Sequence, residues 1–301
     1  MKLKSWLTFT KERFDPVSHF LMIFLFVTGH AVVQAVASNA KTWSLLPPPF
    51  IVLFAGATAF FFKLRLYDEI KDYEVDKEFN PGRPLVRGLV VHRDLHLGIV
   101  TCIVIELACF GAASPRAAVA VAFAICYSLL MYKEFFISEL IRPHLTTYAI
   151  THTVVTVLLS LSMFCGMTGR FPWELGREAY FFALNNWCLF NIFEFGRKSF
   201  CAEEEREGVE SYSKIFSRFG AVLLVLSQAG LGLGCIYMMK LPRSLTLLYI
   251  LGGVVALLTI SGVAYAAANR PGPAKIYRAM SSVAIILVYV GFVVNYFKQA
   301  F

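Results

Sequence analysis

The sequence predicts an all-α polytopic membrane protein, a bundle of about nine transmembrane helices. Three observations carry this. The chain of 301 residues is 57% hydrophobic and only 16% charged, with a mean hydropathy of +0.63, too apolar for an ordinary water-soluble domain. Its apolar residues gather into runs close to the ~20 residues that a helix needs to cross a hydrocarbon core. Between those runs, three quarters of the 28 Lys and Arg fall in segments that alternate onto one side of such a bundle. The positive-inside rule assigns that side, with the N-terminus, to the cytoplasm, as in a bacterial inner membrane.

Composition also narrows the partners. The net charge of +8 is loop charge in a membrane protein, and no basic run is interleaved for nucleic acid, so that partner is not expected. Among the seven Cys there is no C-x-x-C pair, and Cys102, Cys109, Cys126, Cys165, Cys188 and Cys235 lie in apolar stretches. They read as buried free thiols, not as a disulfide framework or a zinc site.

The elements follow in order. Residues Met1 to Arg13 are basic and amphipathic, and Asp15-Pro16 opens an apolar run over 17–37. Ala35-Val36-Ala37 looks like a small-residue cleavage site, but the run exceeds the roughly 7–15 residues of a signal h-region, so a retained first span is expected. Further spans are expected at 46–63, 96–113, 117–131, 146–167, 179–195, 221–239, 245–267 and 280–297. The whole chain, 1–301, then forms one transmembrane domain. Its two long polar loops, 66–94 and 194–218, cap the same cytoplasmic face.

The first loop is the densest in charge, reading L-Y-D-E-I-K-D-Y-E-V-D-K-E-F-N-P-G-R-P-L-V-R-G-L. Asp68, Asp72 and Asp76 recur every fourth residue. At 3.6 residues per turn each step rises about 6 Å and stays near one helix face. Carboxylates stacked in this way destabilise a helix unless a cation sits among them. Two readings stay open from spacing alone: a divalent metal, or a solvated amphipathic segment balanced by Lys71 and Lys77. Asn80-Pro81-Gly82 and Arg83-Pro84 must end the helix, so acid leads into a basic loop.

D-E-I-K-D-Y-E-V-D followed by N-P-G-R-P-L-V-R-G resembles the first aspartate-rich motif of the UbiA superfamily of intramembrane prenyltransferases, N-D-x-x-D-x-x-x-D with a trailing R-P-L-x-x-G. Arg13 with Pro16, Tyr127-Ser128 with Lys133, and the segment V-E-S-Y-S-K to R-F-G between Gly208 and Gly220 resemble further family features. Two departures stand out. Asp68 occupies the place of the motif's leading Asn and Glu69 that of its next Asp. In the second motif, normally D-x-x-x-D, Glu194 takes the first place but Lys198 stands four residues on, with Glu203, Glu204 and Glu205 later.

The resemblance implies a UbiA-type bundle and an Mg²⁺-dependent transferase. It would ionise a prenyl diphosphate and pass the prenyl group to a small lipophilic or aromatic, quinone-precursor-like acceptor, releasing pyrophosphate. Asp68, Asp72 and Asp76 would hold the metal, with Glu194 as a further catalytic carboxylate. Arg83, Arg87, Lys133 and Lys198 would contact the diphosphate, or serve only as positive-inside charges. Arg13 and Tyr127 would lie on the acceptor side. Glu106 in the third span and His152 in the fifth are costly in lipid and should face the interior. They would be acceptor-side contacts or a proton relay, or else interhelical hydrogen bonds. His19 and His30 carry no spacing signal. An intramembrane terpene cyclase, needing no acceptor, is the rival enzyme; a non-catalytic carrier or ion transporter is the rival of another class.

Overall fold

The computed structural model describes residues 3–39 and 47–300; Lys2 and Lys41 of the charge pattern and Leu46, at the start of the expected second span, lie outside them. The described residues form thirteen α-helices, with no strand among them. An amphipathic α1 (Leu3–Arg13) lays Phe9 and Trp6 against Phe62 of α3 (Phe50–Lys71). Between them α2 (Pro16–Ala37) starts sharply: Pro16 occupies the first turn, and the Asp15 carboxylate accepts from the Ser18 N–H at 2.9 Å. The short α4 (Tyr73–Phe79) continues α3 after a break at Asp72. Then come α5 (His92–Ala113) and α6 (Pro115–Tyr132), the latter capped by Ser114. A small α7 (Ser138–Ile141) precedes α8 (Leu145–Thr153) and α9 (Val155–Thr168). The rest is α10 (Arg177–Arg197), α11 (Tyr212–Met238), α12 (Leu245–Ala267) and α13 (Pro271–Ala300).

Counting α8 and α9 as one, nine long helices stand where nine spans are expected, and eight are long and apolar enough to cross a membrane. The chain is an integral, multi-pass membrane protein. The ninth long helix, α10, fails only on polarity, because it carries Asn185, Asn186 and Asn191, all buried. Two of those amides, Asn186 and Asn191, find partners inside the protein, while the Asn185 Nδ2 is buried without one among the described residues. Asn186 donates to Ser160 Oγ (3.0 Å), accepts from the Tyr289 hydroxyl (3.0 Å) and meets His30 Nε2 (3.4 Å). Asn191 accepts from Thr153 and donates to Gln228. Interhelical hydrogen bonds of this kind join helices where lipid offers no hydrophobic drive between them. They make α10 the shared neighbour of α2, α8, α9, α11 and α13.

Three boundaries differ from expectation for identifiable reasons. The second span does not end at Lys63. Lys63 is not a loop charge but is fully buried, its Nζ 2.6 Å from Glu106 of α5, so α3 runs on and carries Asp68 on its last turns. The fifth span breaks at Val154, where Thr151, Thr153 and Thr156 turn their hydroxyls back onto carbonyls of the preceding turn. The helix around the seventh span begins early, at Tyr212, but kinks at Ser217 (φ 63°), which restores a straight span near the expected start. All seven Cys are free, but of the six expected to be buried only Cys102, Cys165 and Cys188 are; Cys109 and Cys235 are partly buried, and Cys126 is exposed on α6.

Candidate functional site

The site is built at the end of α3. The backbone ladder survives the break: Asp72 N–H reaches Asp68 O at 2.9 Å, and Asp76 N–H reaches Asp72 O at 2.7 Å. The three aspartates nevertheless have different surroundings. Asp68 is half-buried and pairs through one oxygen with Arg65 at 3.2 Å. Asp72 opens to solvent at its tip and has no hydrogen-bond partner among the described residues. Asp76 is buried, accepts from Asn80 Nδ2 at 2.8 Å and pairs with Arg83 at 3.4 Å. Protein crowding the flanks of Asp72 desolvates it and pushes its carboxyl up to about 6; the charges of Asp68 and Asp76 add to this, and those of Lys71 and Lys198 oppose it.

The basic loop after α4 is folded back onto this end by Glu69, the residue in the place of the motif's first Asp. Glu69, buried, accepts from Arg13 Nε at 2.6 Å and from the Leu85 N–H at 3.0 Å. One carboxylate thus ties α1, α3 and the Arg-Pro-Leu turn together. Arg13, expected on the acceptor side, is spent on that tie. Arg87 donates to Glu12 at 2.7 Å and to Gly82 O at 2.8 Å.

The second polar loop meets the first. Gly208 (φ +73°) lies under Phe79 of α4, and a Cβ there would stand 2.8 Å from the ring, so only glycine fits both the backbone and the contact. From the end of α10, Arg197 comes within electrostatic reach of Asp68, and Lys198 within that of Asp72. The two acidic loops therefore share one mouth of the bundle.

The apo structure of a UbiA homolog from Aeropyrum pernix K1 matches with a TM-score of 0.61, over 91% of this chain and 97% of that one, at 14% identity. The fold is UbiA-like. A digeranylgeranylglyceryl phosphate synthase structure matches with a TM-score of 0.58, over 98% of this chain and 100% of that one, also at 14% identity. No protein-family model matches the chain, and no curated protein sequence does.

Within the UbiA-like mouth the remaining expected residues sort by partner. Glu194 accepts on one oxygen from Arg197 at 2.6 Å and pairs on the other with Lys198 at 3.0 Å. Lys133 is exposed and lies over the Tyr132 ring, 5.1 Å from its centroid. Tyr127 donates to Thr151 O at 2.7 Å, and Glu106 is the partner of Lys63 deep in the bundle. His152 stacks on Tyr148 at 3.8 Å, and its Nδ1 meets the Tyr148 carbonyl at 2.7 Å. A carbonyl only accepts, so Nδ1 carries the proton and Nε2 accepts from Lys71 Nζ at 3.3 Å.

Lys71, by its sequence position a charge that balances the acidic helix, anchors a polar cluster beside the aspartates. It donates to the Tyr148 hydroxyl at 2.5 Å and stands 3.9 Å from buried Glu134. Glu134 in turn accepts from Arg142 at 2.8 Å, which raises that guanidinium's already high pKa. Glu134, Phe135 and Phe136 all have positive φ, at 49°, 55° and 58°. A left-handed backbone costs roughly 1–2 kcal/mol per non-glycine residue, so the surrounding packing must hold this turn. No sequence pattern announces it.

Among the described residues no three His, Cys, Asp or Glu side chains close on one point. A metal at this mouth would therefore have the Asp68 and Asp72 pair as its protein ligands. That donor set suits Mg²⁺, which commonly takes one or two carboxylates and completes its shell with substrate phosphate and water. Asp76, within electrostatic reach of Asp72, is held by Asn80 and Arg83.

Proposed function

We propose that this protein is an Mg²⁺-dependent intramembrane prenyltransferase, cleaving a prenyl diphosphate and joining the prenyl group to a lipophilic or aromatic acceptor. The observation that carries the reading is the open Asp68–Asp72 pair at the mouth of a UbiA-like bundle, with an Arg-Pro-Leu turn tied beside it. A structure of similar shape is a digeranylgeranylglyceryl phosphate synthase in membranes, which agrees with an isoprenoid substrate and a membrane setting. Asp68 and Asp72 would hold the metal, which would stabilise charge developing on the pyrophosphate leaving group. Lys198, Arg197 and Arg83 would supply fixed cations for the same anion. The tail would lie among the apolar rings between helices, where Phe26, Phe61 and Phe190 pack within about 6 Å of one another; that dry lining would keep water from an allylic cation. The charge pattern supports a cytoplasmic mouth.

The test is purified protein in nanodiscs with a panel of prenyl diphosphates, with and without aromatic acceptors and with and without EDTA. Expected is EDTA-sensitive pyrophosphate release and an acceptor-dependent prenyl product; no diphosphate turnover under any condition would sink the reading. One observation favours a cyclase as the second reading: the altered second loop. Prenyl products formed with no acceptor added would select it. Pairing of Glu106 and His152 with Lys63 and Lys71 favours a structural role for both over an ion path.

A further inference from the structure

The acids of the second loop are either occupied by protein partners or exposed. Glu194 has both oxygens held, by Arg197 through Nε and Nη2 and by Lys198. Glu204 takes a two-pronged contact from Arg278 at 2.6 and 2.8 Å. Glu205 accepts from the hydroxyls of Ser211 and Ser213 at 2.7 Å. Glu203, Glu207 and Glu210 are exposed on the loop. This loop therefore does not fit a second metal: Glu194, Glu204 and Glu205 are spent on protein partners, and among the described residues no three carboxylates gather on it.

What does face the mouth is positive. Arg197 and Lys198 share one acid, so the unit keeps an excess cation. Their side chains remain 45% and 27% exposed, and they lie toward Asp68 and Asp72. Beside them the Tyr212 hydroxyl is fully buried with no hydrogen-bond partner, within electrostatic reach of Glu194 and Arg197. An orphaned hydroxyl next to a guanidinium and an ammonium that share a single carboxylate is the chemistry of an anion site. We infer that Arg197 and Lys198, with Tyr212, bind the diphosphate head directly, so that the site takes a single metal at Asp68 and Asp72. The inference rests on the diphosphate reading above. Arg offers phosphate a planar fork and Lys a point charge.

Two measurements on the full chain in nanodiscs test it. The first counts bound Mn²⁺ by electron paramagnetic resonance with saturating pyrophosphate. One ion per chain is expected; two would overturn the inference while leaving prenyl transfer standing. Binding of neither Mn²⁺ nor pyrophosphate would overturn the diphosphate reading and this inference with it. The second measures metal-free pyrophosphate binding by calorimetry. Replacing the whole unit by Glu194→Gln, Arg197→Gln and Lys198→Gln leaves no unpaired charge, and should weaken binding about 10- to 100-fold. An unchanged affinity would overturn the inference. Glu194→Gln alone releases both cations, so pyrophosphate should bind several-fold tighter with the Mn²⁺ count still one. A metal-ligating Glu194 would instead give weaker binding and a lost ion, which would also overturn it.

Discussion

Two carboxylates at the same mouth are held in opposite ways. Asp72, on the first loop, has no hydrogen-bond partner, and crowding pushes its carboxyl up to about 6. Glu204, on the second, grips Arg278, and those hydrogen bonds pull its carboxyl down to about 2. The difference separates two uses of acid. A carboxylate left in like-charged company adds nothing to stability and is available to a cation. One clamped by a guanidinium holds the chain in place: Arg278 also takes the Ser199 carbonyl at 3.0 Å, so Glu204 fastens the second loop to α13.

The largest effect should come from Asp72→Asn. Pyrophosphate release should fall on the order of 10²- to 10³-fold, as for loss of one preorganised electrostatic group, while the melting temperature holds or rises. Full activity would break the comparison at its first member. Glu204→Gln should do the reverse, lowering stability by about 2 kcal/mol, the scale of a charged hydrogen bond, with turnover per folded molecule unchanged. A denaturant or thermal titration alongside the pyrophosphate assay reads both. Acid gives a smaller and more gradual effect. Because the folded value of Glu204 lies below its ordinary 4.5, its stabilisation is complete above that pH and is lost as pH falls from there toward about 2. Wild-type melts should therefore decline over that window more steeply than those of Glu204→Gln; parallel curves would refute the assignment. Least affected should be Glu203→Gln, an exposed neighbour, within about 0.5 kcal/mol of wild type and equal in turnover.

Much of this was legible before any coordinates. Apolar runs locate the long helices because bilayer thickness fixes their length, and the Asp68–Asp72 spacing with its Arg-Pro-Leu turn marks the mouth. Periodicity fails where a charge is neutralised out of sight. Lys63 looks like a loop residue until Glu106 is found opposite it, and the even spacing of Asp68, Asp72 and Asp76 hides that Asp76 is buried against Asn80 and Arg83. The cluster of Lys71, Glu134, Tyr148 and His152 joins positions more than 60 residues apart through a left-handed turn of ordinary residues. No local rule reads such a turn. The reversed second motif was visible as Lys198, but its meaning depends on which acids are already taken.

The Lys63–Glu106 pair also bears on how the chain enters a membrane. The two residues lie 43 positions apart, on α3 and α5. During synthesis α3 emerges with its lysine before the matching acid exists. A lone lysine near the middle of a span costs roughly 2.5–3.5 kcal/mol at insertion. The neighbouring Phe60 ring, 4.3 Å from the ammonium, offers only partial shelter. α3 and α5 are thus committed to settle as partners, and the aspartate-bearing end of α3 takes up its final depth only once α5 has arrived.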